Sequence, residues 1–142
     1  MNGGTMKTIV SGSAGFVGRA LLNALSKESR QVVRLVRTAR QDGSEISWDP
    51  LRGQIDPRAL EGADAVVHLA GESITGRWTA AKKDRILRSR AGGTRLLAET
   101  LARLSNPPKV FVCASAIGFY GDRGDEVLTE ESAPGSLFLS KV

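Results

Sequence analysis

Three glycines at fixed spacing constrain this chain more than any other feature. Gly12-Ser13-Ala14-Gly15-Phe16-Val17-Gly18 reads G-x-x-G-x-x-G. It follows the short apolar run Thr8-Ile9-Val10, which ends in Ser11-Gly12, and it opens residues 16–26. There Phe16, Val17, Ala20, Leu21, Leu22, Ala24 and Leu25 recur at a helical period, not in alternation. Val32 to Val36 is a second β-branched run. Strand, glycine turn, helix and strand in such a short stretch form a βαβ unit, which implies parallel strands and a right-handed crossover. In such a unit the first glycine allows the tight turn and the second lets a pyrophosphate approach the backbone. The third lets the helix pack on the strand. The free N–H groups at the helix start then favour an anion. The context therefore predicts a dinucleotide-binding turn in which Gly12, Ser13, Gly15, Phe16, Val17 and Gly18 surround the phosphates.

The rest of the chain continues the alternation. Ile46-Ser47-Trp48 reads as a short third strand broken by Asp49-Pro50. Pro57 to Leu60 fits one helical turn, and Ala65-Val66-Val67-His68-Leu69-Ala70 is a fourth strand closed by Gly71. Residues 79–104 read as helix up to the stop at Pro107-Pro108. Gly92-Gly93 interrupts that helix, at about 1 kcal/mol per glycine relative to alanine. Val110-Phe111-Val112-Cys113-Ala114 is a fifth strand, residues 118–136 a glycine- and acid-rich loop, and Pro134 to Val142 the entry to a further helix. The expectation is an α/β chain with a Rossmann-type, doubly wound parallel sheet of about five strands, ordered 3-2-1-4-5. Residues 1–142 form one domain in this reading, with residues 1–5 an extension ahead of a natural start at Met6. Arg34 stands out in the second strand, where a charge must snorkel or be paired.

Composition narrows the function classes. A single Cys113 excludes an internal disulfide framework and a cysteine zinc site, so no metal is expected. No apolar run approaches the roughly 20 residues that span a bilayer, and the N-terminus lacks a signal-peptide h-region. A cytoplasmic protein without a membrane partner is the expectation. The net charge is +5, with arginine supplying 14 of the 20 basic residues. Residues 1–121 carry +8 and residues 122–142 carry −3. The arginines are scattered, without a basic stripe or interleaved aromatics, so a small anionic ligand explains the excess better than nucleic acid.

The choice between NAD and NADP turns on the end of the second strand. An NAD site places an acid there, about 20 residues on, to hold the ribose 2′-hydroxyl. Here Arg37 stands 19 residues past Gly18, and residues 30–41 contain four arginines and no acid. A guanidinium matches a 2′-phosphate bidentately, which favours NADP over NAD.

These residues resemble the short-chain dehydrogenases/reductases of the extended or atypical type, in particular the NAD-dependent epimerase/dehydratase group that includes nucleoside-diphosphate-sugar epimerases. The matching blocks are S-G-S-A-G-F-V-G-R-A-L (11–21), I-S-W-D-P (46–50), L-E-G-A-D-A-V-V-H-L-A-G-E-S-I (60–74), G-R-W-T-A-A-K-K (76–83), S-R-A-G-G-T-R-L-L (89–97) and C-A-S-A-I-G-F-Y-G-D-R-G-D-E (113–126). The resemblance implies an NADP-binding, epimerase-like oxidoreductase. It places His68, Leu69 and Ala70 beside the adenine-side ribose and makes Arg90 a second phosphate or ribose contact. A packed histidine and a surface cation are the plain alternatives for His68 and Arg90.

The same family normally carries a Ser/Thr after the fifth strand and a Tyr-x-x-x-Lys on the next helix. Ser115 resembles the serine. Phe138 stands in the tyrosine position and Val142 in the lysine position, while Lys141 comes one residue early, about 100° round the helix. Phenylalanine has no proton to exchange and valine no charge. Two readings stay open. In one, an oxidoreductase uses a replaced proton donor, with Tyr120, the single tyrosine, as the candidate. In the other, the domain binds NADP without turnover as a sensor or scaffold. The resemblance also makes 142 residues about half of a two-part protein. On that reading the substrate region lies outside the chain, and the fragment is poorly equipped for turnover alone. The substrate is unassigned, and an oligomer is compatible with the sequence.

Overall fold

The computed structural model describes residues 5–28 and 30–142; most of the N-terminal extension expected above lies outside them. Six strands, β1 (Lys7–Ser11), β2 (Gln31–Val36), β3 (Glu45–Asp49), β4 (Gln54–Ile55), β5 (Ala65–His68) and β6 (Val110–Cys113), form one sheet in the order β4-β3-β2-β1-β5-β6. All pairings are parallel except the β3–β4 hairpin. The fold is Rossmann-type, and the expected order of the parallel strands is observed. The addition is β4, a two-residue strand that turns back on β3, pairing Trp48 with Ile55 and Asp49 with Gln54.

Among the described residues, five α-helices connect or follow the strands: α1 (Phe16–Lys27), α2 (Pro57–Leu60), α3 (Ala80–Leu87), α4 (Gly93–Ala102) and α5 (Phe138–Lys141). α2 starts on Asp56, whose carboxylate accepts from the Arg58 amide at 3.0 Å, with Pro57 at the first helical position. α3 starts on Thr79, whose hydroxyl accepts from the Lys82 amide at 3.2 Å. Gly92-Gly93 does not break the long helix. Residues Arg88–Gly92 widen into a π turn, and the chain runs on into α4 with both glycines in right-handed helical geometry.

Period-2 alternation decides which residues enter the core. Ile9, Val33, Leu35 and Val66 pack with Leu97, Leu101 and Leu104 at the end of the α4 segment, together with Leu60 and Trp48. Ile9, Val66, Leu60 and Leu97 are fully buried. Each such side chain contributes about 1.5–3 kcal/mol on leaving water. Arg34 resolves as a paired charge: its guanidinium meets Glu45 of β3 at 2.6 Å. The same carboxylate accepts from the Arg40 amide at 2.7 Å and so pins the β2–β3 loop. β6 is less enclosed. Phe111 packs against the core, whereas Val110 and Val112, on the opposite face, stay about half exposed.

Candidate functional site: a cleft at the carboxyl ends of the strands

The glycine turn leaves β1 with Gly12 at φ 69°, a left-handed conformation that favours glycine. Its position is crowded as well as twisted: a Cβ there would lie 2.6 Å from the Ala70 backbone nitrogen. The Gly15 amide donates to the Gly12 carbonyl at 3.0 Å and closes the turn. Gly18 is buried, and a Cβ would be driven into the Gly12 carbonyl oxygen and to 2.8 Å from the Ser13 Cα. Gly15 caps α1 without any side-chain cap, and the first helical turn carries no acid. The leading N–H groups of a twelve-residue helix are thus left for an anion.

The turn forms one wall of a cleft of about 590 Å³. Every parallel strand from β3 to β5 contributes its carboxyl end: Gly12 to Gly15 after β1, Val36 to Thr38 at the end of β2, Trp48 to Leu51 at the end of β3, and Leu69 to Glu72 after β5. A crevice at this edge is where open α/β sheets take ligands. Its size lies within the usual 300–1,000 Å³ range, roughly, of small-molecule sites.

Arg37 lines this cleft, is exposed, and has no ion-pair partner among the described residues. Asp42 and Asp49, in the chain beyond β2, are committed to other partners. Asp42 accepts from the Ser44 hydroxyl at 2.6 Å and its amide at 2.9 Å, and these bonds hold its carboxyl below the usual range. Asp49 caps the β3–β4 hairpin, accepting from the Leu51 and Arg52 amides at 3.0 and 3.1 Å. That cap places Pro50 and Leu51 on the wall of the cleft next to Trp48.

Of the residues named from sequence at and after the end of β5, Leu69 and Ala70 line the cleft and His68 lies beneath it. His68 is 3% exposed, sits 2.6 Å from the Ser11 hydroxyl through Nδ1, and stands edge-on to Trp48 at 5.7 Å. The Ala70 amide also reaches the Ser11 oxygen at 3.4 Å. Ser11 and His68 thereby tie together the two lips of the cleft, one after β1 and one after β5. Burial keeps the imidazole neutral by lowering its pKa.

The π turn sets which cations face the cleft. Arg85 and Ser89 line it. Arg90 instead donates to the Glu72 carbonyl at 2.9 Å and packs under Gly71, bracing the loop after β5. Ser89 supports the same loop by accepting from the Glu72 amide at 2.9 Å. Glu72 is held by Lys82 at 2.9 Å and Arg85 at 3.4 Å, and the Lys82 hydrogen bond lowers its pKa. Gly93 fits close to the site from below, where a Cβ would rest 3.6 Å from both Pro50 and Trp48.

Other residues named from sequence lie apart. Phe16 and Val17 point to solvent at 91% and 61% exposure. Ser115, after β6, is exposed, and Tyr120 is half-buried against Phe119, their rings edge-on at 5.1 Å. Neither lines the cleft. Trp48, Asp49, Pro50, Leu51, Arg85 and Glu72 were not named as site residues from sequence. W-D-P was visible as a block, but a cleft role depends on the hairpin that Asp49 caps.

A glycine turn on the central strand of a parallel sheet, opening a helix beside a crevice, defines the Rossmann-type class. Within it, this chain belongs to the NAD dependent epimerase/dehydratase family, whose pattern matches residues 8–138. The chain is similar to the epimerase family protein Mb2239 of Mycobacterium bovis, with 37% identity over 94% of this chain and 44% of that protein. It is also similar to a crystal structure described as the nucleoside-diphosphate sugar epimerase from Corynebacterium glutamicum. That likeness has 40% identity, a TM-score of 0.80, and covers 96% of this chain and 28% of the other. The human epimerase family protein SDR39U1, solved with NADPH, is 30% identical with a TM-score of 0.82, over 96% of this chain and 45% of that one. The chain thus spans less than half the length of these relatives.

Proposed function

We propose that the cleft seats NADP and that the protein is an NADP-dependent, epimerase-like oxidoreductase acting on a small molecule. Gly12 to Gly15 and the start of α1 hold the pyrophosphate. Arg37 takes the adenosine 2′-phosphate. The nicotinamide, when bound, supplies hydride transfer. The fit rests on a cradle that side chains at positions 12 and 18 would fill, opening beside an uncommitted arginine. The single observation that carries NADP over NAD is Arg37, free at the cleft where an NAD site needs an acid. The NADPH bound to the human relative supports the same choice.

Paired titrations with NADPH and NADH test this. Arg37→Ala removes charge-assisted hydrogen bonds of about 1.5–3 kcal/mol, so NADPH affinity falls roughly 10- to 100-fold. NADH affinity stays within about twofold, since it lacks the phosphate. Equal losses for the two cofactors remove the argument for NADP.

The second reading, a binding module without turnover, is favoured by Phe138 and Val142 in the positions where the family's Tyr and Lys are expected and by the exposure of Ser115. NADPH absorbance followed across nucleotide sugars and simple carbonyls separates the two. Intact cofactor binding with neither NADPH consumption nor conversion of a nucleotide sugar to its epimer by chromatography selects the module, since an epimerase returns the hydride and consumes no cofactor net.

A further inference from the structure

Three arginines lie in or beside the π turn, and two of them are consumed by the backbone. Arg88 donates to the Leu51 carbonyl at 3.0 Å and ties the β3–β4 hairpin to the helix. Arg90 braces the loop after β5 through the Glu72 carbonyl. Arg85 is different. It lies four residues before Ser89, and both line the cleft. Its Nε meets a Glu72 carboxylate oxygen at a long 3.4 Å. Its two terminal amino groups have no hydrogen-bond partner among the described residues.

Glu72 does not depend on Arg85. The Lys82 ammonium reaches the same oxygen at 2.9 Å. Lys82 is also the more enclosed cation, with 14% of its side chain exposed against 50% for Arg85. A closer pair with less water around it is screened less, so Lys82 carries the neutralisation. The carboxylate on the rim is thereby cancelled. Arg85 is left as a surplus positive charge with a free planar fork.

The backbone sets where that charge stands. Glu72 comes two residues after Ala70, and the Ala70 backbone abuts Gly12 of the glycine turn. The amides that open α1 form one side of the crevice, and Arg85 stands on the side after β5. Arg37 follows β2, on the other flank of β1. A pyrophosphate diester carries a negative charge on each phosphate, while a helix N-terminus supplies only about half a positive charge.

We infer that Arg85 closes the crevice over the cofactor's pyrophosphate from the side opposite α1, exchanging its long contact to Glu72 for a two-pronged hydrogen bond to phosphate oxygens. This rests on the reading of the cleft as the dinucleotide seat. Unlike the contact assigned to Arg37, it is blind to the 2′-phosphate.

NADPH, NADH, ADP and adenosine are titrated calorimetrically into wild type, Arg85→Gln and Arg85→Lys. Glutamine keeps polarity and helix propensity at a half-exposed position, so the variant folds. Arg85→Gln is expected to weaken NADPH, NADH and ADP alike by about tenfold, the loss of one charge-assisted hydrogen bond. Arg85→Lys should recover part of that loss. Adenosine, which carries the base and no phosphate, should bind wild type and Arg85→Gln equally. A loss confined to NADPH assigns Arg85 to the 2′-phosphate, an equal loss for adenosine assigns it to the base, and no loss leaves it a surface partner of Glu72. Each of these overturns the inference. If wild type binds neither dinucleotide, the cofactor reading falls and ADP alone decides Arg85. A loss in Arg85→Gln then sustains its role, and unchanged or absent ADP binding overturns it.

Discussion

The carboxyl edge of the sheet has two halves built differently. From β3 to β5 the backbone is locked: the Gly12 turn abuts Leu69 and Ala70, Ser11 and His68 bind the two lips, and Arg90 braces the loop beyond. Beyond β6 the groups stand open. Ser115 is exposed, Val110 and Val112 are half exposed, and α5 is a single turn held by contacts such as the Ser140 hydroxyl to the Gly118 carbonyl at 2.9 Å. The first half can present a ligand with preset geometry, because its own packing fixes the backbone. The second presents side chains whose positions are set by few neighbours. On the function proposed above, affinity for a cofactor belongs to the locked half.

The comparison breaks most sharply at Gly18. Gly18→Ala gains helix propensity of about 1 kcal/mol. It also forces Cβ into the Gly12 carbonyl, an overpacking that typically costs about 1–3 kcal/mol. The expected result is a lower melting temperature together with a loss of NADPH affinity of at least about tenfold, since the turn itself is displaced. Normal binding in a folded variant would show that the turn is not the seat.

A smaller effect is expected from acid. His68 is held neutral in the fold, so its folded pKa lies below the unfolded value of 6.5. The unfolded chain then binds the extra proton, and stability is full above the unfolded pKa and falls as pH drops toward the folded one. Melting temperatures recorded from pH 7.5 down to about pH 5.5 should decline. His68→Gln, neutral throughout, should flatten that part of the profile. An unchanged slope would mean that the titrating group is elsewhere.

The smallest effects belong to the open half. Ser115→Ala and Tyr120→Phe touch exposed or loosely packed groups and should change stability by no more than about 0.5 kcal/mol. NADPH affinity should be unaltered in both by the same titrations. A marked loss of cofactor binding in either would extend the locked site across β6.

What could be read from sequence follows the same division. The glycine turn was legible because its physics is local: three spacings, one strand before and one helix after. Alternation implied a parallel sheet, its strand order came with the Rossmann-type reading, and of the two fates open to Arg34, snorkelling or pairing, the structure shows pairing, with Glu45. β4 was not legible, because two residues carry no periodicity and their pairing depends on the Asp49 cap. The choice between Arg85 and Arg90 was hidden too. Regular helical spacing assigns side chains to faces, and a π turn alters that phase without any signal stronger than a pair of glycines.

That π turn has a wider meaning for how this chain tolerates change. A π turn absorbs one residue beyond the natural pitch: the wider turn takes up the roughly 100° that the surplus residue would otherwise add, so α3 and α4 keep their faces. Removing Ala91 would let α3 and α4 merge into one regular helix with Leu97 and Leu101 still toward the sheet and Arg85 still toward the cleft, whereas deleting a residue within α3 or α4 would turn one set away by about 100°. A one-residue change within α3 or α4 thus acts as a rotation, whereas loss of one residue from the π turn acts as a change of length alone.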